Sequence, residues 1–167
     1  LQAGAVSPSL SPTDLPTAVH RALTGLDGAE RARVKPDWPA DSPPVLADPG
    51  LLERVIANLV GNAVRHAPTG SVTVSAGALA DQLEVRVVDR GPGVPPADRE
   101  RLFAPFQRLG DAPSGQGVGL GLAVARGLTE AMGGTLTAED TPGGGLTMVV
   151  SLGVAASPAA VTSLSAP

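Results

Sequence analysis

Residues 48–66 read DPGLLERVIANLVGNAVRH, the longest run of helical periodicity in the chain. Asp48 followed by Pro49 reads as a cap with proline in the first turn, and Pro68 and Gly70 stop the helix near His66. Leu52, Val55, Ile56, Leu59, Val60, Ala63 and Val64 recur at helical spacing and predict a single buried arc. Arg54, Asn58, Asn62 and Arg65 fall on a separate stripe, because steps of three and four residues return to the same side. The helix therefore packs on a core and shows a polar ridge elsewhere. Asparagine is a mediocre helix former, and two of them one turn apart beside a basic residue begin to need a reason. Taken alone, they read more simply as solvated polar residues.

Downstream, SVTVSA (71–76) and QLEVRVVD (82–89) alternate apolar and polar residues, and ALAD between them suits a hairpin, so the sheet is at least partly antiparallel. From Arg90 to Gly117 the chain is rich in Gly, Pro and charge, with only Leu102, Phe103, Phe106 and Leu109 as anchors. A loop of that length in a compact domain reads as a functional lid. GVGLGLAVARGLTEAMGG then reads as a helix opened by glycine and ended at Gly133–Gly134; TLTAE and LTMVVSL are closing strands joined by a TPGGG turn. Upstream, Asp14 caps a short helix to about Leu23, and two short strands near 32–35 and 45–47 flank the proline-rich DWPADSPP. The Ser, Pro, Gly and Ala-rich ends, 1–12 and 154–167, are expected to be disordered tails around one domain at 13–153.

The 167 residues suit one domain. A net charge of −4 without a basic run lacks the footprint of a nucleic-acid binder. With no cysteine and two histidines, a disulfide framework or thiolate metal site is excluded, which fits a reducing cytosol. No apolar run approaches the roughly 20 residues needed to cross a bilayer, and the opening LQAGAVSPSLSP lacks a charged n-region followed by an apolar core. A soluble domain is expected, compatible with a longer membrane-bound parent.

Three features bear on chemistry. Amide oxygens such as those of Asn58 and Asn62 are neutral, hard ligands that suit Mg²⁺. Asp89 ends a strand and is followed by Gly91 and Gly93, presenting a carboxylate where the backbone must turn; it can accept a hydrogen bond from an exocyclic amine, or simply initiate a turn. Gly115, Gly117, Gly119 and Gly121 lead into a helix, where bare backbone N–H groups make a natural phosphate site. No strand immediately precedes these glycines, as a dinucleotide fold would require, and no G-K-[ST] occurs.

The order of these elements across about residues 48–152 resembles the ATP-binding domain shared by histidine kinases, type II topoisomerases and Hsp90 chaperones: an Asn-x-x-x-Asn helix, a strand ending in D-x-G-x-G, R-L-F-x-x-F, then G-x-G-x-G-L-G-L opening a helix. RLFAPFQRL and the ending MGGTLTAEDTPGGGLTMVVSL are similar to sensor histidine kinases, in particular the potassium-responsive ones. The resemblance implies a two-layer α/β sandwich, with helices on one face of a mixed, largely antiparallel sheet, and ATP with Mg²⁺ as ligands. It makes Asn62 the Mg²⁺ ligand with Asn58 lining the same site, Arg65 a phosphate contact, and these three the catalytic set. His66 stands where the family often has an aromatic ring near the nucleotide. Asp89 would accept the adenine amine, Gly91 and Gly93 would let the backbone pass close to the base, and Thr147 is a further pocket residue. Gly117, Gly119, Leu120 and Gly121 would close over the phosphates; Phe103 and Phe106 would anchor the lid, and Arg108 would reach the phosphates on closure.

Two departures matter. ATP-hydrolysing relatives carry glutamate where Asn58 stands, and an amide cannot take a proton from water, so hydrolysis is disfavoured. Met132 stands where many kinases have histidine, away from the pocket. Neither His20 nor His66 has the acidic neighbour, basic residue and proline of a phosphoacceptor histidine. The resemblance thus implies a monomeric catalytic domain on the cytosolic side of a sensor, acting on its own dimerisation domain and through it on a response regulator, without nucleic acid. An ATP hydrolase of the same fold and a non-catalytic nucleotide-binding module are the alternatives.

Overall fold

The structure is a computed structural model that describes residues 7–106 and 119–156. Five strands form the main sheet in the order β2 (Val34–Asp37), β4 (Val72–Leu79), β5 (Gln82–Val88), β7 (Leu146–Gly153) and β6 (Thr135–Asp140). β2 runs parallel to β4 and every other pairing is antiparallel. A separate ribbon pairs β1 (Ser11–Thr13) with β3 (Val45–Ala47). The helices are α1 (Leu15–Ala22), α2 (Gly28–Arg33), α3 (Pro49–His66) and α4 (Gly121–Ala131). The expected mixed, largely antiparallel α/β sandwich is the observed architecture.

The core lies between one face of the sheet and α1, α3 and α4. Val72 and Val74 of β4, Leu83, Val85 and Val87 of β5, and Met148, Val150 and Leu152 of β7 all point to it and are buried. Against them lies the predicted arc of α3, buried from Leu52 to Val64. Each such side chain contributes about 1.5–3 kcal/mol by burial, far more than helix propensity supplies, so packing holds the asparagine-bearing helix. On the other face of β5, Arg86 lies opposite Val149 and spans Glu84 at 3.0 Å and Glu139 at 2.8 Å. Its hydrogen bond to Glu84, then that to Glu139, raises the Arg86 pKa.

The N-terminal boundary differs from the expected tail. Ser11 and Pro12 belong to β1, Thr13 Oγ1 donates to the Ala47 carbonyl at 3.0 Å, and the Ser9 N–H donates to Asp48 at 2.9 Å. Pro12 is tolerated because the ribbon is two edge strands, where a missing donor leaves no ladder bond broken. At the other end Val154 bridges to Val45, and Ala155 is buried.

Asp48 accepts from the N–H groups of Gly50 and Leu51 as well as Ser9, so one carboxylate both caps α3 and ties down the N-terminal strand. Those donors, Ser9 first and then Leu51, lower its pKa. A depressed carboxyl stabilises the fold above its ordinary titration range, and the contribution is lost as pH falls through the folded value. The difference in unfolding midpoint between the wild type and Asp48→Ala is therefore expected to be largest near neutrality and to narrow steadily below about pH 4. A gap independent of pH would exclude the charged cap.

α2 was not expected. Asp27 and Glu30 form a reciprocal capping box, Glu30 N–H to Asp27 at 2.8 Å and Asp27 N–H to Glu30 at 3.1 Å. The short helix delivers Arg33, whose guanidinium donates to the carbonyls of Val64, Ala67 and Gly70. Carbonyls at a helix end have no intrahelical partner, and Arg33 supplies one where α3 stops.

Candidate nucleotide site

α3 carries the polar ridge. Asn58 and Asn62 are half-buried, Arg54, Arg65 and His66 are exposed, and the Arg65 Nε donates to the Gly61 carbonyl at 3.2 Å. Among the described residues neither asparagine amide makes a hydrogen bond. Both are held by a packed helix with part of each amide open to solvent or to a ligand.

At the other side of the site Asp89 directly follows β5. The alternation that buries Leu83, Val85 and Val87 continues one step and turns Asp89 inward, where it is 4% exposed. Its Oδ1 accepts from the backbone N–H of Gly91 at 2.9 Å and of Leu146 at 3.0 Å, while its own N–H donates to the Leu146 carbonyl at 2.9 Å. Among the described residues Oδ2 accepts nothing. One carboxylate oxygen thus fixes the orientation of the side chain, and the other is uncommitted among the described residues.

The glycines around Asp89 are required first by the protein itself. A Cβ on Gly91 would lie 2.6 Å from the His66 carbonyl oxygen, so its bareness lets this segment pass the end of α3. A Cβ on Gly93, whose φ is +72°, would lie 3.1 Å from the Gly145 carbonyl. Gly145 is more constrained: its φ is +118° and a Cβ there would lie 2.0 Å from the Asp89 carbonyl. It is a site residue that the sequence reading passed over, although three consecutive glycines in one hairpin turn were its visible signal. Thr147, buried, shares a 2.9 Å hydroxyl contact with Thr141, likewise not anticipated.

α4 opens toward Asn58. A Cβ on Gly121 would come within 3.7 Å of Asn58 Oδ1, an ordinary contact, so the N-terminus of α4 abuts the first asparagine. Leu120 stands at the N-cap without any side-chain hydrogen bond to the first turn, so among the described residues no side chain caps those N–H groups. α3 therefore meets the Asp89 segment at His66 and α4 at Asn58, eight residues or roughly 12 Å apart along its axis.

Phe103 is buried as expected, with the Arg126 guanidinium 4.6 Å from its ring centroid and bound to Glu100 at 2.9 Å and Glu130 at 3.2 Å. The Glu100 bond, more than the Glu130 one, raises the Arg126 pKa. Phe106 corrects the expectation of a second anchor. It is 70% exposed at φ +62°, and among the described residues its backbone N–H donates to the Gly119 carbonyl at 3.2 Å. That backbone bond fixes a conformation that turns the ring outward. Arg108 and Gly117 lie outside the described residues.

Beside the TPGGG turn is an open depression of about 380 Å³, lined by Pro92–Pro96 and by Asp140, Thr141, Gly144 and Gly145. It is not the chemical centre: apart from Asp140 and Thr141 its lining is proline, glycine and valine, and Asn58, Asn62 and Asp89 do not line it.

Residues 47–156 match the family described as histidine kinase-, DNA gyrase B-, and HSP90-like ATPase. The chain belongs to this ATPase family. It is 51% identical over 159 residues to the sensor protein KdpD of Mycobacterium tuberculosis, an alignment that takes in 91% of this chain and 18% of that protein. The chain thus spans under a fifth of the curated relative. Among solved structures it is similar to full-length ShkA in complex with AMPPNP, at a TM-score of 0.74 and 30% identity, covering 92% of this chain and 33% of the other. The mycobacterial sensor histidine kinase MprB superposes at a TM-score of 0.73 with 28% identity, over 86% of this chain and 98% of that one. Among the described residues of this ATPase-family domain, no helix is long and apolar enough to cross a membrane.

Proposed function

We propose that the domain binds ATP with Mg²⁺ and transfers the γ-phosphate to a histidine on a separate dimerisation domain of the same sensor kinase, on the cytosolic side of the membrane, for onward passage to a response regulator. The observation that carries this is the pair of unspent amides, Asn58 and Asn62, on a helix that also meets the open N-terminus of α4. In this reading Asp89 Oδ2 accepts the adenine amine, with Thr147 nearby. The phosphates lie along α3 toward Arg65 and the first turn of α4, where Gly119, Leu120 and Gly121 leave backbone N–H groups open. Family relatives named as sensor kinases, and the AMPPNP held by ShkA, support the same assignment.

The donor set fits magnesium. Among the described residues no group of three or more His, Cys, Asp or Glu could cage a metal. Mg²⁺ does not ask for one, since it takes few protein oxygens and completes its octahedron with water and phosphate. When bound, the ion neutralises the β- and γ-phosphate oxygens and helps align the transferred group. The domain's own residues bind and orient the nucleotide; an incoming imidazole is itself the nucleophile and asks for no strong base here. Asn58 also separates this reading from hydrolysis, because an amide cannot deprotonate water.

Incubating the domain with ATP and a separately produced dimerisation domain tests the proposal. Acid-labile phosphate on histidine is the expected product; phosphate release without acceptor would favour a hydrolase, and tight binding without transfer a regulatory module. Asn62→Ala is expected to weaken ATP binding about tenfold or more in magnesium and to leave it unchanged in a chelator. Equal losses in both buffers would remove Asn62 from the metal.

A further inference from the structure

We propose that Arg90 is a positioning residue for nucleotide binding, holding the 141–145 turn so that Asp89 faces its ligand; the inference rests on the assignment of Asp89 to the adenine amine. The turn reads TPGGG, and Gly143, Gly144 and Gly145 all have positive φ, at 87°, 108° and 118°. Three such glycines in a row have broad conformational freedom and no side chains with which to restrict it. Among the described residues Thr141 N–H to Gly145 and Gly144 N–H to Thr141 close the backbone at 3.1 and 2.9 Å, and the pairing of Asp140 with Leu146 and the 2.9 Å Thr141–Thr147 hydroxyl contact hold its base, which leaves Pro142–Gly144 at the tip.

Arg90 adds a restraint at the tip. Its Nη1 donates to the Pro142 carbonyl at 2.6 Å, and Gly143 lies so close that a Cβ there would be 3.4 Å from the same nitrogen. The side chain is exposed, and among the described residues it makes no ion pair. An exposed arginine that turns to a carbonyl of a glycine turn is acting on backbone geometry. Because Arg90 directly follows Asp89, the clasp joins the turn to the carboxylate it serves: fixing Pro142 fixes Gly145 over the Asp89 carbonyl and Leu146 N–H on Asp89 Oδ1. When the turn opens, the Leu146 N–H bond to Asp89 Oδ1 is loosened, and Gly91 N–H alone directs the carboxylate. Apparent affinity then falls by the fraction of molecules with the turn closed.

The test is calorimetric titration of the whole chain with ATP and with ADP, for the wild type, Arg90→Ala, Arg90→Lys and Asp89→Asn, with the nucleotide-free unfolding midpoint measured in parallel. Arg90→Ala is expected to weaken ATP and ADP by the same factor, on the order of three- to tenfold, at an unchanged midpoint. Arg90→Lys, which keeps a donor for Pro142, should recover most of the loss. A greater loss for ATP than for ADP would mean direct contact with the terminal phosphate and would overturn the proposal, as would unchanged affinity or a lower midpoint alone. Asp89→Asn keeps the two failures apart. If it abolishes binding while Arg90→Ala does nothing, the adenine assignment stands and the Arg90 role falls; if it changes nothing, both fall.

Discussion

Asp89→Asn is expected to lower affinity for ATP and ADP by about 100-fold, a little under 3 kcal/mol, while costing the fold about 1 kcal/mol or less. The separation follows from how the carboxylate is divided. An asparagine oxygen in place of Oδ1 still accepts from Gly91 and Leu146 N–H, so the strand end keeps both bonds. The amide nitrogen then takes the place of Oδ2 and sets a donor against the donor amine of adenine. A site built to hydrogen-bond a group discriminates steeply once its own polarity is inverted. Calorimetry with both nucleotides, alongside thermal unfolding, checks this; unchanged ATP affinity would show that the base binds elsewhere.

Gly145→Ala should be the most damaging single methyl group in the domain. The added carbon would stand 2.0 Å from the Asp89 carbonyl oxygen and 2.8 Å from its carbon, at a φ of +118° that alanine rarely adopts. Gly144 provides the control, because its φ is also positive, +108°, but nothing lies within 4 Å of a Cβ there. Gly144→Ala therefore carries backbone strain alone, about 1–3 kcal/mol. The Gly145 substitution adds a collision with backbone that cannot be relieved by a rotamer, for a total of about 4 kcal/mol or more. Expected readouts are no measurable ATP binding and a clearly lower unfolding midpoint for Gly145→Ala, with binding still measurable for Gly144→Ala. Equal behaviour of the two would exclude the close approach as the cause.

The contrast between these glycines shows what the sequence could and could not reveal. α3 was legible because its apolar arc, its cap at Asp48 and its stop at Pro68 all repeat one period. Asp89 was legible because it sits where strand alternation meets glycine. Gly145 was only half legible: the run of three glycines marked the turn, but its close approach is to a backbone 56 positions away in the chain, which a local pattern does not identify. The same holds for Arg33 and Arg90, whose partners are carbonyls; a carbonyl belongs to every residue and leaves no mark in composition. α2 was missed for another reason: six residues are too few to show periodicity, although the Asp27–Glu30 box announced its start. Pro12 misled in the other direction, because a Pro- and Ser-rich end resembles a tail until its partner strand is known.

The inward aim of Asp89 is a matter of parity. Leu83, Val85 and Val87 are successive odd positions of β5, gripped by the core, and Asp89 is the next odd position just past its end. One residue inserted between Gln82 and Val88 would send the carboxylate to the opposite face with no chemical change at all. Length can vary instead at the exposed hairpin tip, Ala80–Asp81, where only the bond from Val154 N–H to Asp81 is at stake. Related chains that bind the same nucleotide should thus differ freely in the reach of this hairpin, and keep an even number of steps from the core-facing Leu83 position to the carboxylate.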